Sequence, residues 1–375
     1  MEMIPVQRPS IGTEELKAVE GVFNTGWLGM GSVTKKFEDA VGDFLGVRHV
    51  IATNTGTTAL HLAFDTIGLG RGDEVIVPSL TYVATIQAIT ATGAIPVFCD
   101  IEEDTLNMDI YDAKKKINTK TKAIVPVHYR GLPCDMEHVL MLADQFGLRV
   151  VEDACHAFGS YYKGRRIGSF GDLTCFSFDP IKIITCGEGG AITTQNDELV
   201  DLMQRKRILG IDKETWSRYH DKRSWSYDVT TQGYRYHMSN INAAIGLVQL
   251  KKYEMMNGRK IHIAKIYDHE FADFKKIKLI QTNYDGMSIF FYIIRVLDGR
   301  EKLIKFLEER GISTGIHYIP SHIFSFYNKR GKEVKLPVTE MIYDQILTLP
   351  VFFDMSNEQV EYIISAIKEW EEDKT

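Results

Sequence analysis

The chain has 375 residues, 44% of them hydrophobic, with 44 Lys and Arg against 50 Asp and Glu for a net charge of −6. That length builds a large core and suggests two domains. The acidic balance offers no basic face, which argues against nucleic acid as a partner.

Residues 49–53 (HVIAT) read as a strand. From Thr55 to Ile67, the residues Ala59, Leu60, Ala63, Phe64 and Ile67 recur at helical spacing. EVIVP at 74–78 is a second strand, and 82–93 is a helix stopped by Gly93. Strands follow at 94–100, 122–128, 148–153, 172–178 and 189–195, with a helix at 136–147. Alternating strands and helices predict α/β architecture, with a mostly parallel sheet covered on both faces. Residues 207–235 are polar and aromatic, with Trp216, Tyr219, Trp225 and Tyr227. A stretch of that length without clear periodicity is often functional. Beyond about residue 245 the texture changes. Residues 245–271 form one long amphipathic helix, followed by a strand at 289–297 and helices at 300–311 and 357–372. The expected division is 1–250 for an N-terminal arm and a large α/β domain, and 251–375 for a smaller α+β domain.

Five cysteines, Cys99, Cys134, Cys155, Cys175 and Cys186, are scattered and form no C-x-x-C pair. That usage suits a reducing compartment. The start MEMIPVQRPS lacks the basic and apolar regions of a signal peptide. No stretch approaches the roughly 20 apolar residues of a membrane span. The expectation is a soluble cytoplasmic protein with no membrane partner.

Ligands of such sheets sit at the carboxyl ends of the strands. Asn54-Thr55-Gly56-Thr57-Thr58 opens a helix there and offers an anion site, although from this stretch alone a plain N-cap is the commoner reading. Tyr82 follows a strand in PSLTYVAT and suits either stacking on a flat ring or the core. Asp153 closes an apolar strand, where a buried carboxylate needs a partner. No His or carboxylate cluster accompanies it at metal-ligand spacing, so no metal is expected. Ser177 ends another strand, and Lys182 follows in SFDPIKIITCGEGG. An anion cradle, an aromatic plate, a carboxylate, a hydroxyl and a lysine together match one cofactor. Pyridoxal 5′-phosphate (PLP) is phosphorylated, flat, and forms a Schiff base with lysine.

The motifs NTGTTALHLA, PSLTYVATIQAI, VEDACHAFGS, GDLTCFSFDPIKIITCGEGG, GYRYHMSNINAAIGLVQL and GISTGIHYIPSH occur in order. They resemble the sugar-nucleotide aminotransferases of the DegT/StrS type, a branch of the fold-type I PLP enzymes, from about residue 8 to 370. The resemblance implies a fold-type I PLP-dependent transferase with a seven-stranded, mostly parallel sheet. It implies that Lys182 holds PLP covalently, Asp153 faces the ring nitrogen and Tyr82 stacks on the ring. Gly56, Thr57 and Ser177 match the phosphate contacts, and His156 stands beside the cofactor's phenolic oxygen. Arg235 replaces a common Asn in a segment that reaches the neighbouring subunit's cofactor phosphate; it is assigned there or to the substrate diphosphate. A homodimer with shared active sites is implied, with L-glutamate and a nucleotide-linked keto sugar as substrates and pyridoxamine 5′-phosphate as the intermediate cofactor form.

Trp27 and Leu28 lie in TGWLGMG, which resembles a loop near the sugar. Its Trp-Leu version accompanies amination at C4 of a 4-keto-6-deoxyhexose, as in perosamine synthesis, whereas C3 enzymes more often carry Trp-Tyr. His317, Tyr318 and His322 in GIHYIPSH are candidate substrate contacts. Besides Arg235, three positions depart from the common pattern: Asp179 stands for Asn or His, and Ile289 and Phe290 occupy positions often polar. Related dehydratases carry His at the Schiff-base position, where this chain has Lys182. A non-catalytic regulator of this fold has no need of Lys182 and Asp153 together. A dinucleotide site at GLGRGD (68–73) fails because the glycines follow a helix and precede a strand.

Overall fold

The computed structural model describes residues 3–212, 227–328 and 334–372. Trp216, Tyr219 and Trp225 lie outside the described residues. The main strands are β1 (His49–Thr53), β2 (Glu74–Pro78), β3 (Ile95–Cys99), β4 (Thr121–Ile124) and β5 (Arg149–Asp153). A short ribbon, β6 (Tyr161–Tyr162) and β7 (Arg165–Arg166), precedes β8 (Leu173–Ser177) and β9 (Gly190–Thr194). Seven of these form one sheet in the order β1-β9-β8-β5-β4-β2-β3. The fold is therefore α/β with a large, mostly parallel seven-stranded sheet.

One strand runs against the rest: β9 is antiparallel to both β1 and β8. A parallel return needs a crossover, usually a helix. The connector at 178–189 holds no helix, so the chain turns straight back. Successive strand residues enter two different cores, as the period of two requires. Ile76, Ile124, Val150, Phe176 and Ala191 pack on one face. Val75, Val77, Ala123, Val125, Val151, Cys175 and Ile192 pack on the other. Both faces are covered, which is why these strands read as continuous apolar runs.

Helices α1 (Thr13–Thr25) and α2 (Ser32–Leu45) precede the sheet. Helices α3 (Gly56–Thr66), α4 (Val83–Ala91), α5 (Ile110–Lys116), α6 (Met136–Phe146) and α7 (Asp197–Arg207) follow or connect its strands. Leu60 and Phe64 of α3 and Ile86 and Ile89 of α4 fill one core, while Phe37 of α2 and Val139 of α6 fill the other. The sequence reading did not include α1, α2 or α7. In α1 only Glu15 and Val22 are buried, so its apolar stripe is faint. In α2, by contrast, Phe37, Val41 and Leu45 do recur at helical spacing.

The long helix Asn240–Glu270 joins two cores. Tyr253 and Met256 pack beneath the large sheet. Ile263, Ala264 and Tyr267 pack beneath a second sheet of β10 (Ile277–Leu279), β11 (Tyr292–Val296) and β12 (Ile346–Leu349). Those three strands are antiparallel, and helices Arg300–Glu309 and Asn357–Glu372 contribute Leu303, Leu307, Ile363 and Ile367 to their core. Ile4 also enters this core, held by its N–H on the Gly311 carbonyl at 2.8 Å. Among the described residues, no helix is long and apolar enough to cross a membrane.

Candidate active site

Because β2, β4, β5 and β8 are parallel, their carboxyl ends share one edge. β1 ends there too, since two antiparallel pairings restore its direction. That edge opens into a cavity of about 340 Å³ lined by residues from four strand ends. Gly56 and Thr57 come from the β1–α3 junction, Tyr82 from the turn after β2, Asp153 from β5, and Ser177 from β8. At the start of α3, Thr55 accepts the Thr58 N–H at 3.1 Å, and Thr58 Oγ1 takes the Thr55 N–H at 3.2 Å. This capping box leaves the first amides of the helix, at Gly56 and Thr57, without intrahelical acceptors. A Cβ on Gly56 would stand 2.7 Å from Ser177 Cβ, so only glycine lets α3 begin against the end of β8. The result is a row of N–H donors beside a hydroxyl, suited to a phosphate.

Lys182 hangs from the 178–189 connector into the same cavity. Asp179 shapes the turn: its Oδ1 accepts the Ile181 N–H at 3.1 Å and its carbonyl accepts the Lys182 N–H at 3.1 Å. The residue is partly exposed, but its amine lies 4.2 Å from the Phe290 ring centroid. Burial holds the Lys182 pKa below the usual lysine range, against the opposing charges of Asp179 and Asp153. Phe290, a departure noted in the sequence, is thus the apolar wall beside the amine.

Asp153 is buried, and its Oδ2 accepts the Thr85 hydroxyl at 2.6 Å while Oδ1 accepts the Cys155 N–H at 3.1 Å. His156 is stacked on Phe290, with centroids 4.4 Å apart, and its Nε2 meets the Tyr318 hydroxyl at 3.0 Å. Its Nδ1 is buried without a protein partner. Burial, aided by the Lys182 and His317 charges, pushes the His156 pKa well down, so the ring is neutral near pH 7. His317 bonds Thr348 Oγ1 at 2.9 Å, stacks on Phe291, and is lowered to about 4, chiefly by burial and then by Lys182. Glu188 completes the rim; burial and the Asp179 charge raise its pKa.

The chain matches the DegT/DnrJ/EryC1/StrS aminotransferase family over residues 9–368. It belongs to that family. Among curated relatives, the spore coat polysaccharide biosynthesis protein SpsC of Bacillus subtilis is 38% identical over 375 residues, covering 98% of this chain and 96% of SpsC. Among solved structures, the putative sugar aminotransferase Spr1654 from Streptococcus pneumoniae, in its PMP-form, superposes with a TM-score of 0.92 at 32% identity, covering 98% of this chain and 99% of that one. S. venezuelae DesV, solved with a ketimine intermediate, gives a TM-score of 0.91 at 33% identity over all of both chains. As a family member, this protein is a PLP-dependent aminotransferase of fold type I. Its own residues fit that cofactor. The cavity holds an enclosed amine, a glycine-permitted amide cradle and an orphaned imidazole nitrogen.

In this aminotransferase, the expected site residues fall into three groups. Gly56, Thr57, Tyr82, Asp153, His156, Ser177, Lys182, His317 and Tyr318 line one cavity. Trp27, Leu28 and Arg235 line a second, of about 540 Å³, together with His237 and Ile208. There the Trp27 indole N–H donates to the Met30 carbonyl at 2.9 Å, and Asn240 at the head of the long helix donates its N–H to the Leu28 carbonyl at 3.0 Å. His322 lines neither. It is buried and braces the turn after β2, its Nδ1 2.7 Å from Ser79 Oγ and its N–H donated to the same oxygen at 3.0 Å. Sequence reasoning passed over Thr85 and Glu188. Thr85 stands three residues after Tyr82 on a helix, and that spacing was the signal.

Proposed function

We propose that this protein moves an amino group from L-glutamate to a nucleotide-linked keto-deoxy sugar, at C4 of a 4-keto-6-deoxyhexose. The observation that carries the reading is Lys182. Its enclosed amine, of depressed basicity, shares one cavity with Asp153 and the open amides of α3. In the proposed roles Lys182 binds the cofactor covalently, Asp153 faces its ring nitrogen, and Tyr82 covers its ring. Gly56, Thr57 and Ser177 receive its phosphate. Bound PLP supplies the electron sink that makes an amino acid α-proton removable. Lys182, released as a free amine, takes that proton and returns it, a task that needs an amine of lowered pKa near neutrality. His156, neutral and held by Tyr318, stands beside the reacting end of Lys182. Phe290 lies against that end, and Phe291 lines the same cavity.

The sugar is read from three supports: the polysaccharide role in the name of SpsC, the description of Spr1654 as a putative sugar aminotransferase, and the Trp27-Leu28 pair. We assign the second cavity, with Trp27, Leu28 and Arg235, to a site completed across a homodimer. Exposed apolar side chains at Leu28, Leu209, Leu16 and Phe23 favour such a covered face. The division at 1–250 and 251–375 is part of the same proposal, supported by the separate core around β10–β12. So is a cytoplasmic setting, consistent with five free thiols, four of them buried.

The test is a panel of TDP-, GDP- and UDP-linked keto sugars incubated with glutamate and read by mass spectrometry. One sugar should gain an amino group at C4. Amination at C3, or of none of the panel, rejects the substrate assignment. Lys182→Ala should lower turnover by roughly a thousandfold or more while the purified variant still binds PLP. Full activity in that variant removes Lys182 from its role.

A further inference from the structure

The first turn of α4 carries more than the residue that opens it. Tyr82 caps the helix, and Thr85 lies one turn on, facing back toward the strand ends. Thr85 is 1% exposed, and so is Thr81. Three acceptors are in reach of the single Thr85 hydroxyl proton: Asp153 Oδ2 at 2.6 Å, Thr81 Oγ1 at 3.0 Å and the Tyr82 carbonyl at 3.1 Å. The carboxylate is nearest and charged, and an O–H···O⁻ contact of that length is of the strong class. The proton therefore goes to Asp153. Thr81 Oγ1, 3.0 Å from Thr85 Oγ1, then donates to it. A relay of two buried hydroxyls ends on the carboxylate, each bond polarising the next.

The other Asp153 oxygen is held by a backbone amide, Cys155 N–H, which no side-chain change removes. No Lys, Arg or His of the described residues lies within ion-pair distance of Asp153. The Thr85 hydroxyl on Oδ2 and the Cys155 backbone amide on Oδ1 thus set the plane of this carboxylate, with the Cys155 thiol also in contact with it. The short side-chain bond is the one from Thr85.

We propose that Thr85 is a positioning residue that fixes the Asp153 carboxylate toward the cofactor ring, with Thr81 as its support. The inference rests on the reading that Asp153 faces the ring nitrogen. A carboxylate free to turn about its last torsion holds the ring proton less well. A less cationic ring repels the proton on the Lys182 nitrogen less, so that nitrogen becomes more basic.

The experiment uses the reconstituted holoenzyme and three variants: Thr85→Val, Thr85→Ser and Asp153→Asn. Two readouts do not depend on turnover, the pH midpoint of the near-ultraviolet to visible absorption band and the dissociation constant of PLP. Thr85→Val keeps the β-branch and removes the donor. It should raise the midpoint and weaken PLP binding by about 10- to 150-fold, the scale of one hydrogen bond to a charged group. Thr85→Ser keeps the donor and should return both readouts to near wild type. Thr81→Val should move both in the same direction by less. Wild-type readouts in Thr85→Val, with Asp153→Asn displaced, overturn the role of Thr85 alone. Failure of Thr85→Ser to rescue would mean that the methyl group matters rather than the hydroxyl, and also overturns it. Wild-type readouts in Asp153→Asn overturn the underlying reading instead. Equal melting temperatures for the Val and Ser variants keep a folding defect out of the comparison.

Discussion

Asp179 shows how a departure from a family pattern becomes intelligible at the scale of one residue. Its side chain accepts the Ile181 N–H and so shapes the turn that presents Lys182. The Asn common at this position in relatives accepts the same bond through its amide oxygen. Asp179→Asn should therefore keep Lys182 in place, while Asp179→Ala should lower kcat by about tenfold. Steady-state kinetics on the two variants separate a turn-forming role from a charge role: equal losses in both point to the charge. Glu188 makes a second case. Its carboxyl is raised by burial and by the neighbouring Asp179 charge. With Asp179→Asn, the second of those causes disappears, and any acid-side limb of the pH–rate profile that belongs to Glu188 should move toward lower pH. The residues proposed to bear the chemistry, Lys182, Asp153 and Tyr82, were legible in the sequence because each ends or follows an apolar strand. Thr85, Phe291 and Glu188 were not, because nothing local distinguishes a threonine aimed at a carboxylate from one aimed at a carbonyl.

At the scale of elements, the proposed phosphate cradle depends on how closely α3 approaches β8 and β9. Gly56 and Gly190 set that approach from opposite sides. A Cβ on Gly56 would meet the Ser177 side chain at 2.7 Å, while a Cβ on Gly190 would meet the Thr55 carbonyl oxygen at 2.3 Å. Ser177 has some freedom to shift, but backbone has little. Gly56→Ala should cost about 1–3 kcal/mol and weaken PLP binding, and Gly190→Ala should cost more. Thermal denaturation of both apoproteins gives the order; a larger loss at Gly56 contradicts the geometry. Most strands were readable from their apolar runs because both faces of the sheet are buried. The direction of β9 was not readable, since a strand's own residues do not record its orientation. It follows from the short connector, which returns the chain without a crossover and leaves Lys182 at the crowded edge.

At the scale of the whole molecule, burial makes stability depend on pH. His317 has a folded pKa of about 4, below its ordinary value of 6.5, and burial lowers His156 in the same direction. Between about pH 6.5 and 4, the unfolded chain binds more protons at these positions than the folded one. Stability is then complete above the unfolded pKa and falls as pH drops toward the folded value, by on the order of 2–3 kcal/mol for His317. Urea denaturation at pH 7.5 and 4.5 should show that loss, and His317→Gln should reduce it. A wild-type curve that gains stability on acidification would contradict the burial of both rings. The proposed sharing of sites between two chains has its own test. Lys182→Ala and Arg235→Ala should each be nearly inactive alone. Mixed and allowed to exchange subunits, they should recover about a quarter of wild-type activity, because half the dimers are mixed and each restores one of two sites. Background activity after exchange means that the sites are not shared. By itself the sequence determined the fold class, the strand ends and the residues fit for PLP chemistry, because alternating apolar runs and turn residues are local properties. Only the tertiary structure decided which of those residues meet. It placed Lys182 against Phe290, gave Asp153 its hydroxyl donor, turned His322 into a brace, and set Trp27, Leu28 and Arg235 around a separate cavity. Contacts between positions far apart in the chain are fixed by packing, and no short stretch of sequence contains them.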